Sequence, residues 1–158
     1  MRLTVYTDYA LRVLIYVALK QPEAATINEI AQSYRISRNH LMKVVHRLGL
    51  LGYLETVRGK GGGMRLAQAP SKINLAEVVR STEEDMALVA CFQSGAPRCC
   101  IQPECMLRIA LRTARDAFLN VLNRYTLNDL IQPDRALRQL LAIPHNDHTR
   151  SSHGESRG

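Results

Sequence analysis

"ISRNHLMKVVHRLGLLGYLETVRGKGGGMRLA", residues 36–67, decides the fold. Leu41, Val44, Val45 and Leu48 recur at i, i+3, i+4 and i+7, which predicts a helix over 38–50 with one apolar stripe for the core. Ser37 stands where an N-cap belongs. The opposite face carries Arg38, Asn39, Lys43, His46 and Arg47. Tyr53–Val57 and Met64–Ala67 read as short strands, and Arg58–Gly63 as the turn between them. Glycines in that turn permit positive φ angles and a close approach of backbone to phosphate. The glycine run lacks the Lys-Ser/Thr ending and the following helix of a nucleotide phosphate loop, so that reading is set aside.

Outward from this stretch, Thr26 and Glu29 have the spacing of a capping box, which predicts a helix over 27–33. "SYRIS", residues 33–37, is a tight turn. Two short helices across such a turn, the second with a polar, basic outer face, form a helix-turn-helix, and the basic hairpin makes it a winged helix. Before it, Leu3, Tyr6, Ala10, Val13, Leu14 and Val17 place an amphipathic helix over 3–20. After it, Asn74 caps a short helix over 75–80, and residues 104–125 form a long helix. On that helix Leu107, Leu111, Ala114, Phe118, Val121 and Tyr125 form a heptad seam suited to a second copy of the chain, with an internal core stripe as the competing reading. "LNDLIQPDRALRQLLAIP" adds a further short helix. From His145 the chain lacks apolar residues and reads as a disordered tail, whose three histidines are better explained as tail than as a metal site.

The expected fold class is therefore mainly α with a small β-hairpin: a winged helix-turn-helix domain plus a long dimerisation helix. Residues 1–80 are the DNA-binding domain, and 81–103 a cysteine loop. Residues 104–130 are the dimerisation helix and its following segment, and 131–158 the C-terminal segment.

Charge agrees with this division. The 158 residues carry a net charge of +7. Residues 1–65 hold ten Lys/Arg against four Asp/Glu, whereas 66–158 hold eleven against ten. An excess confined to the first half is expected of a half that meets a polyanion, with a solvated basic face as the alternative. Residues 1–20 carry Asp8 and Arg12 within their apolar pattern, and the longest apolar run, Val13 to Leu19, is too short to cross a bilayer. A cytoplasmic protein without a membrane partner is expected. No nucleophile–base constellation supports an enzyme, since the histidines are scattered between the recognition helix and the tail.

All four cysteines lie in "CFQSGAPRCCIQPEC", residues 91–105. Clustered thiols in a cytoplasmic protein more often bind metal or do redox work than form structural disulfides. Gly95, Pro97 and Pro103 keep the stretch from being a regular helix throughout. No pair has the C-x2–4-C spacing of zinc knuckles. Adjacent cysteines rarely aim both sulfurs at one centre, so the pattern reads as three ligands, Cys91, Cys99 and Cys105. Cys100 is then a spare or an alternative to Cys99. Three thiolates suit an iron–sulfur cluster with a fourth ligand from elsewhere; zinc and a thiol switch remain open on spacing alone.

"MRLTVYTDYALRVLIYVAL", residues 1–19, the quoted 36–67 stretch and the cysteine loop together resemble the bacterial winged-helix repressors that carry iron–sulfur clusters. The resemblance covers about residues 1–130. "TDYALR" with "SRNHLMKVV" is most similar to the nitric-oxide-sensing members. It implies a homodimeric repressor that leaves its operator DNA when the cluster is nitrosylated. It also implies that Asp8, from the first helix of the partner subunit, completes the cluster, and Arg12 one turn further on can pair with Asp8. The cluster-assembly regulators of this family place a histidine three residues after the last cysteine, where this chain has Arg108, which leaves Asp8 as the natural fourth ligand. The implied cluster is 4Fe–4S, with 2Fe–2S as the alternative. An iron- or redox-responsive regulator of the same family, or a cluster-free thiol switch, is the competing function. For DNA, Ser37, Arg38, Asn39, His40 and Lys43 lie at or near the N-terminal end of the recognition helix, and Arg58, Lys60 and Arg65 on the wing are placed for phosphates or the minor groove.

Overall fold

The computed structural model describes residues 2–97 and 99–144; the expected disordered tail and its histidines lie outside the described residues. The first helix, α1 (Val5–Lys20), begins two residues later than its apolar pattern predicts. Thr4 takes the N-cap position, and its hydroxyl accepts a hydrogen bond from the Thr7 amide at 3.2 Å. Ala10, Val13, Leu14, Val17 and Leu19 of α1 are fully buried, so this helix is the post around which the rest is built.

Helix α2 (Ile27–Tyr34) starts with the predicted capping box. The Thr26 amide donates to Glu29 Oε2 at 2.7 Å, and the Glu29 amide to the Thr26 hydroxyl at 3.3 Å. Lys20 Nζ, at the end of α1, also donates to Glu29 Oε1 and ties the two helices. Arg35 ends α2 in the left-handed region at φ 54°. The recognition helix α3 spans Arg38–Leu50 and buries Leu41, Val44 and Leu48 against α1. Ser37 does sit at its N-cap, but the hydroxyl makes no capping hydrogen bond, so this predicted interaction is absent.

The hairpin pairs β1 (Leu54–Val57) with β2 (Gly63–Leu66) antiparallel, Leu54 opposite Leu66 and Glu55 opposite Arg65. The first strand starts one residue later than predicted and the second is displaced by one residue towards the N-terminus, although the Ala67 amide still donates to the Tyr53 carbonyl at 3.0 Å. Gly59 and Gly61 supply the turn's positive φ angles, 91° and 77°. A backbone bridge between Ala25 and Met64 fastens the wing to the α1–α2 connection, with N–O distances of 2.9 and 2.7 Å.

Helix α4 (Leu75–Thr82) is capped by Asn74, whose side-chain oxygen accepts from the amides of Ala76 and Glu77. The long helix α5 (Met106–Leu122) is shorter at both ends than predicted. Gln102–Glu104, with Pro103, forms a 3-10 turn, and Cys105 takes the N-cap position. At the other end, Arg124 and Tyr125 lie in a turn, and the Tyr125 carbonyl accepts from the Leu75 amide at 3.0 Å. Where one further helix was expected there are two, α6 (Leu127–Leu130) and α7 (Asp134–Leu140). They return to the N-terminal helices: Leu127, Leu141 and Ile143 join the same core as α1 and α3, and Ser33 Oγ donates to the Leu141 carbonyl at 2.9 Å.

Candidate nucleic-acid interface and metal centre

Because the apolar stripe of α3 faces α1, its polar side faces outward. Ser37, Arg38, Asn39, His40 and Lys43 are all exposed, and the first turn of α3 has no acid. Arg58, Lys60 and Arg65 on the wing are exposed as well. Arg38 borders a shallow cleft of about 300 Å³ together with Asn28, Thr56 and Met64, so the start of α3 and the wing share one groove with no acidic lining residue. Arg65 lies opposite Glu55 across the hairpin, which offsets part of its charge. His40 is not wholly free: its ring lies 6.3 Å from that of Tyr9 on α1.

The cysteine loop contains single 3-10 turns and irregular backbone between α4 and α5. Cys91 sits in the turn Ala90–Phe92 and is half-buried, as is Cys105, while Cys99 and Cys100 are exposed. All four are free thiols. The Cys105 sulfur accepts a hydrogen bond from the Arg108 amide at 3.4 Å, which stations it at the positive end of α5. Arg108 Nε is buried and has no hydrogen-bond partner. Next to Cys91, Phe92 lies under the Arg115 guanidinium, whose carbon is 5.5 Å from the ring centre. Among the described residues no three His, Cys, Asp or Glu side chains come together, so the chain by itself does not gather the predicted ligands.

Asp8 lies on α1, away from the loop in sequence, and is gripped by Arg12. The Nη2–Oδ2 and Nε–Oδ1 distances are 2.9 and 3.0 Å, and the two side chains remain 41% (Arg12) and 47% (Asp8) exposed. The predicted pair is therefore present and within reach of another chain. The Arg12 guanidinium also lies 5.7 Å from the centre of the Tyr34 ring. Burial pushes the Tyr34 phenol up to about 12, so that ring stays neutral and meets Arg12 with its π face. The donor chemistry fits an iron–sulfur cluster. Soft thiolates are its usual ligands, and the positive end of α5, whose Arg108 amide donates to the Cys105 sulfur, favours a thiolate there.

A second network joins the Asp8 end of α1 to the start of the cysteine loop. The Thr4 amide donates to Glu83 Oε1 at 2.9 Å, and buried Thr7 donates to buried Thr82 at 3.0 Å. Neither this latch nor the Tyr9 and Tyr34 contacts was read from the sequence, because each pairs residues far apart in the chain. The Thr126–Asp129 capping box of α6 was also missed, although its T-x-x-D spacing was visible.

The Rrf2 family, described as an iron-dependent transcriptional regulator, matches residues 3–133. The HTH-type transcriptional regulator NsrR of Bacillus subtilis is 51% identical over 144 residues, which cover 90% of this chain and 99% of that protein. The structure of CymR, the global cysteine regulator of B. subtilis, superimposes with a TM-score of 0.64 at 27% identity, covering 82% of this chain and 95% of CymR. IscR of T. potens shares the fold, with a TM-score of 0.70 at 18% identity over 87% of this chain and 91% of IscR. A winged helix with this hairpin, these helices and this extent of matching sequence belongs to the Rrf2 family of transcriptional regulators.

Proposed function

We propose that the protein is a cytoplasmic repressor that binds operator DNA as a homodimer and releases it in response to nitric oxide. In this reading Cys91, Cys99 and Cys105 hold an iron–sulfur cluster, 4Fe–4S with 2Fe–2S as the alternative, and Asp8 of the partner subunit completes it. Cys100 is the spare thiol, and Arg12 supports Asp8. When bound, the cluster supplies iron that takes nitric oxide as a ligand. Asp8 contributes a carboxylate oxygen, a weaker match for such iron than a thiolate, and so is the ligand most readily surrendered. On release, Asp8 returns to its bidentate partner Arg12, the pairing seen in the single chain.

Ser37, Arg38, Asn39, His40 and Lys43 meet base edges and phosphates in the major groove, while Arg58, Lys60 and Arg65 hold the backbone or enter the minor groove. A dimer sets two copies of α3 against successive grooves. The seam of α5 supports this: Leu107 and Val121 are 65% and 51% exposed in the single chain, although Leu111 and Phe118 between them are half-buried.

The observation that carries the reading is the set of four free thiols in one loop, with the Cys105 sulfur at the positive end of α5, where it accepts from the Arg108 amide. Purification without oxygen, with iron and sulfide analysis and a visible spectrum, tests it. A brown protein with matched iron and sulfide supports the cluster. A colourless protein that stays iron-free after reconstitution removes it. The exposed, adjacent Cys99 and Cys100 would then favour a thiol switch on the same scaffold.

A further inference from the structure

The turn of α1 that carries Asp8 touches the helix-turn-helix at two points. Tyr9, the next residue, sets its ring 6.3 Å from His40 with the planes inclined by 37°, within the range of aromatic pairs. Arg12, one turn on, holds Asp8 with two hydrogen bonds and faces the Tyr34 ring at 5.7 Å. Tyr34 is the last residue of α2, and His40 lies in the first turn of α3. Only Arg35, Ile36 and Ser37 separate α2 from α3, so the two contacts bracket the turn that aims the recognition helix.

The surroundings make this turn the place where a change at Asp8 must go. Below it, Ala10, Val13 and Leu14 are fully buried against the core and cannot yield without opening a cavity. Tyr34 is also braced edge-on by Tyr16, with ring centres 6.4 Å apart and planes at 64°. Arg12 has five donors in a rigid fork, and its charge must find new compensation when the carboxylate leaves. The nearby Tyr34 face is the group whose interaction with Arg12 then changes.

We infer that Tyr9 and Tyr34 are positioning residues that relay the state of Asp8 to the start of the recognition helix, Tyr34 through Arg12 and Tyr9 through His40. Neither tyrosine is among the residues assigned to DNA or to the cluster. The proposed function supplies the event at Asp8, and the relay itself belongs to the chain whether or not a cluster is present.

The test has two arms. In cluster-free protein, the ring resonances of His40 are followed by NMR on replacing Asp8 with Asn, with His46 on the same helix as internal reference. His40 should move in the parent, hardly move in the Tyr9→Leu/Tyr34→Leu background, and move again in Tyr9→Phe/Tyr34→Phe, which keeps both rings. An unmoved His40 in the parent, or an equal displacement in the Leu background, overturns the relay. Should the double Leu variant fail to fold, each single Leu variant carries the same comparison.

The second arm measures affinity for a duplex selected by the parent from random-sequence DNA, with and without the cluster. A parent ratio of about tenfold or more, typical of allosteric coupling, should fall to within about twofold of one in the Leu variants and survive in the Phe variants. Leu variants that keep the parent ratio overturn the relay and leave the proposed function standing. A parent ratio of one, with the NMR response intact, overturns the proposed function and leaves the relay standing.

Discussion

Replacing Gly63 with Ala should unfasten the wing. A Cβ at this position would lie 2.4 Å from the Ala25 carbonyl oxygen and 3.0 Å from its carbon, closer than real contacts allow. Ala25 is fully buried and its backbone is the obstacle, so no flexible side chain can give way. The strand must move off, and with it go the two hydrogen bonds between Ala25 and Met64 at 2.9 and 2.7 Å. At about 0.5–1.5 kcal/mol each, these bonds account for about 1–3 kcal/mol. Partial exposure of the buried Met64 side chain brings the loss to about 2–4 kcal/mol. For a chain of this size that is roughly 5–15 °C in Tm. Gly61→Ala is the control: its Cβ meets nothing within 4 Å, and its φ of 77° predicts a cost of only about 1 kcal/mol. Urea unfolding of the two variants, followed by circular dichroism, makes the comparison. A Gly63→Ala protein within about 0.5 kcal/mol of the parent, or no weaker than Gly61→Ala, would refute the argument that a buried backbone contact holds the wing.

Three further outcomes are expected. The Glu29 carboxyl lies below the usual range: burial alone would raise it, but the hydrogen bonds from Lys20 and Thr26 outweigh that. A lowered folded-state value means stability that is complete above the unfolded value of about 4.3 and lost as pH falls through the folded one, so Glu29→Gln should weaken the fold at neutral pH and flatten its loss below about pH 5 in pH-dependent urea titrations. Lys60→Gln and Arg58→Gln should each reduce the slope of log K against log salt for duplex DNA by about 0.9, without altering the preferred sequence; unchanged slopes would take these residues off the phosphates. If the proposed homodimer forms through α5, Leu107→Asp should give a monomer in analytical ultracentrifugation with its own fold intact, because Leu107 is exposed in the single chain; a persistent dimer would place the interface elsewhere.

What could be read from the sequence was what local chemistry decides. The stripe of Leu41, Val44 and Leu48 is buried, the Thr26–Glu29 box is formed, and Asp8 pairs with Arg12, each of these resting on i, i+3 or i+4 spacing. The errors arose where local alternatives compete. Pro103 and the Cys105 cap shorten α5, and Ser37 occupies a cap site without bonding there. Pairings distant in sequence had no signal of this kind. The Ala25–Met64 bridge, the Thr4–Glu83 latch, and the contacts of Tyr9 with His40 and of Arg12 with Tyr34 depend on how elements meet after folding. For the site, the thiols and the basic groups were visible as types and spacings. Their orientation was not: His40 leans on α1, and Arg108 carries a buried, unpartnered nitrogen.

In the proposed function, one signal acts on the cysteine loop and Asp8 and is read out at α3 and the wing. The most direct measurement is a nitric oxide titration of oxygen-free, iron-loaded protein on a fluorescent duplex selected by that protein, with anisotropy and visible absorption recorded together. The proposed function predicts that anisotropy falls as the absorption changes, at the same nitric oxide to protein ratio, and that Asp8→Ala blunts the fall. Anisotropy that holds steady while the absorption is lost would contradict it, because the DNA-binding surface would then be indifferent to the state of the site.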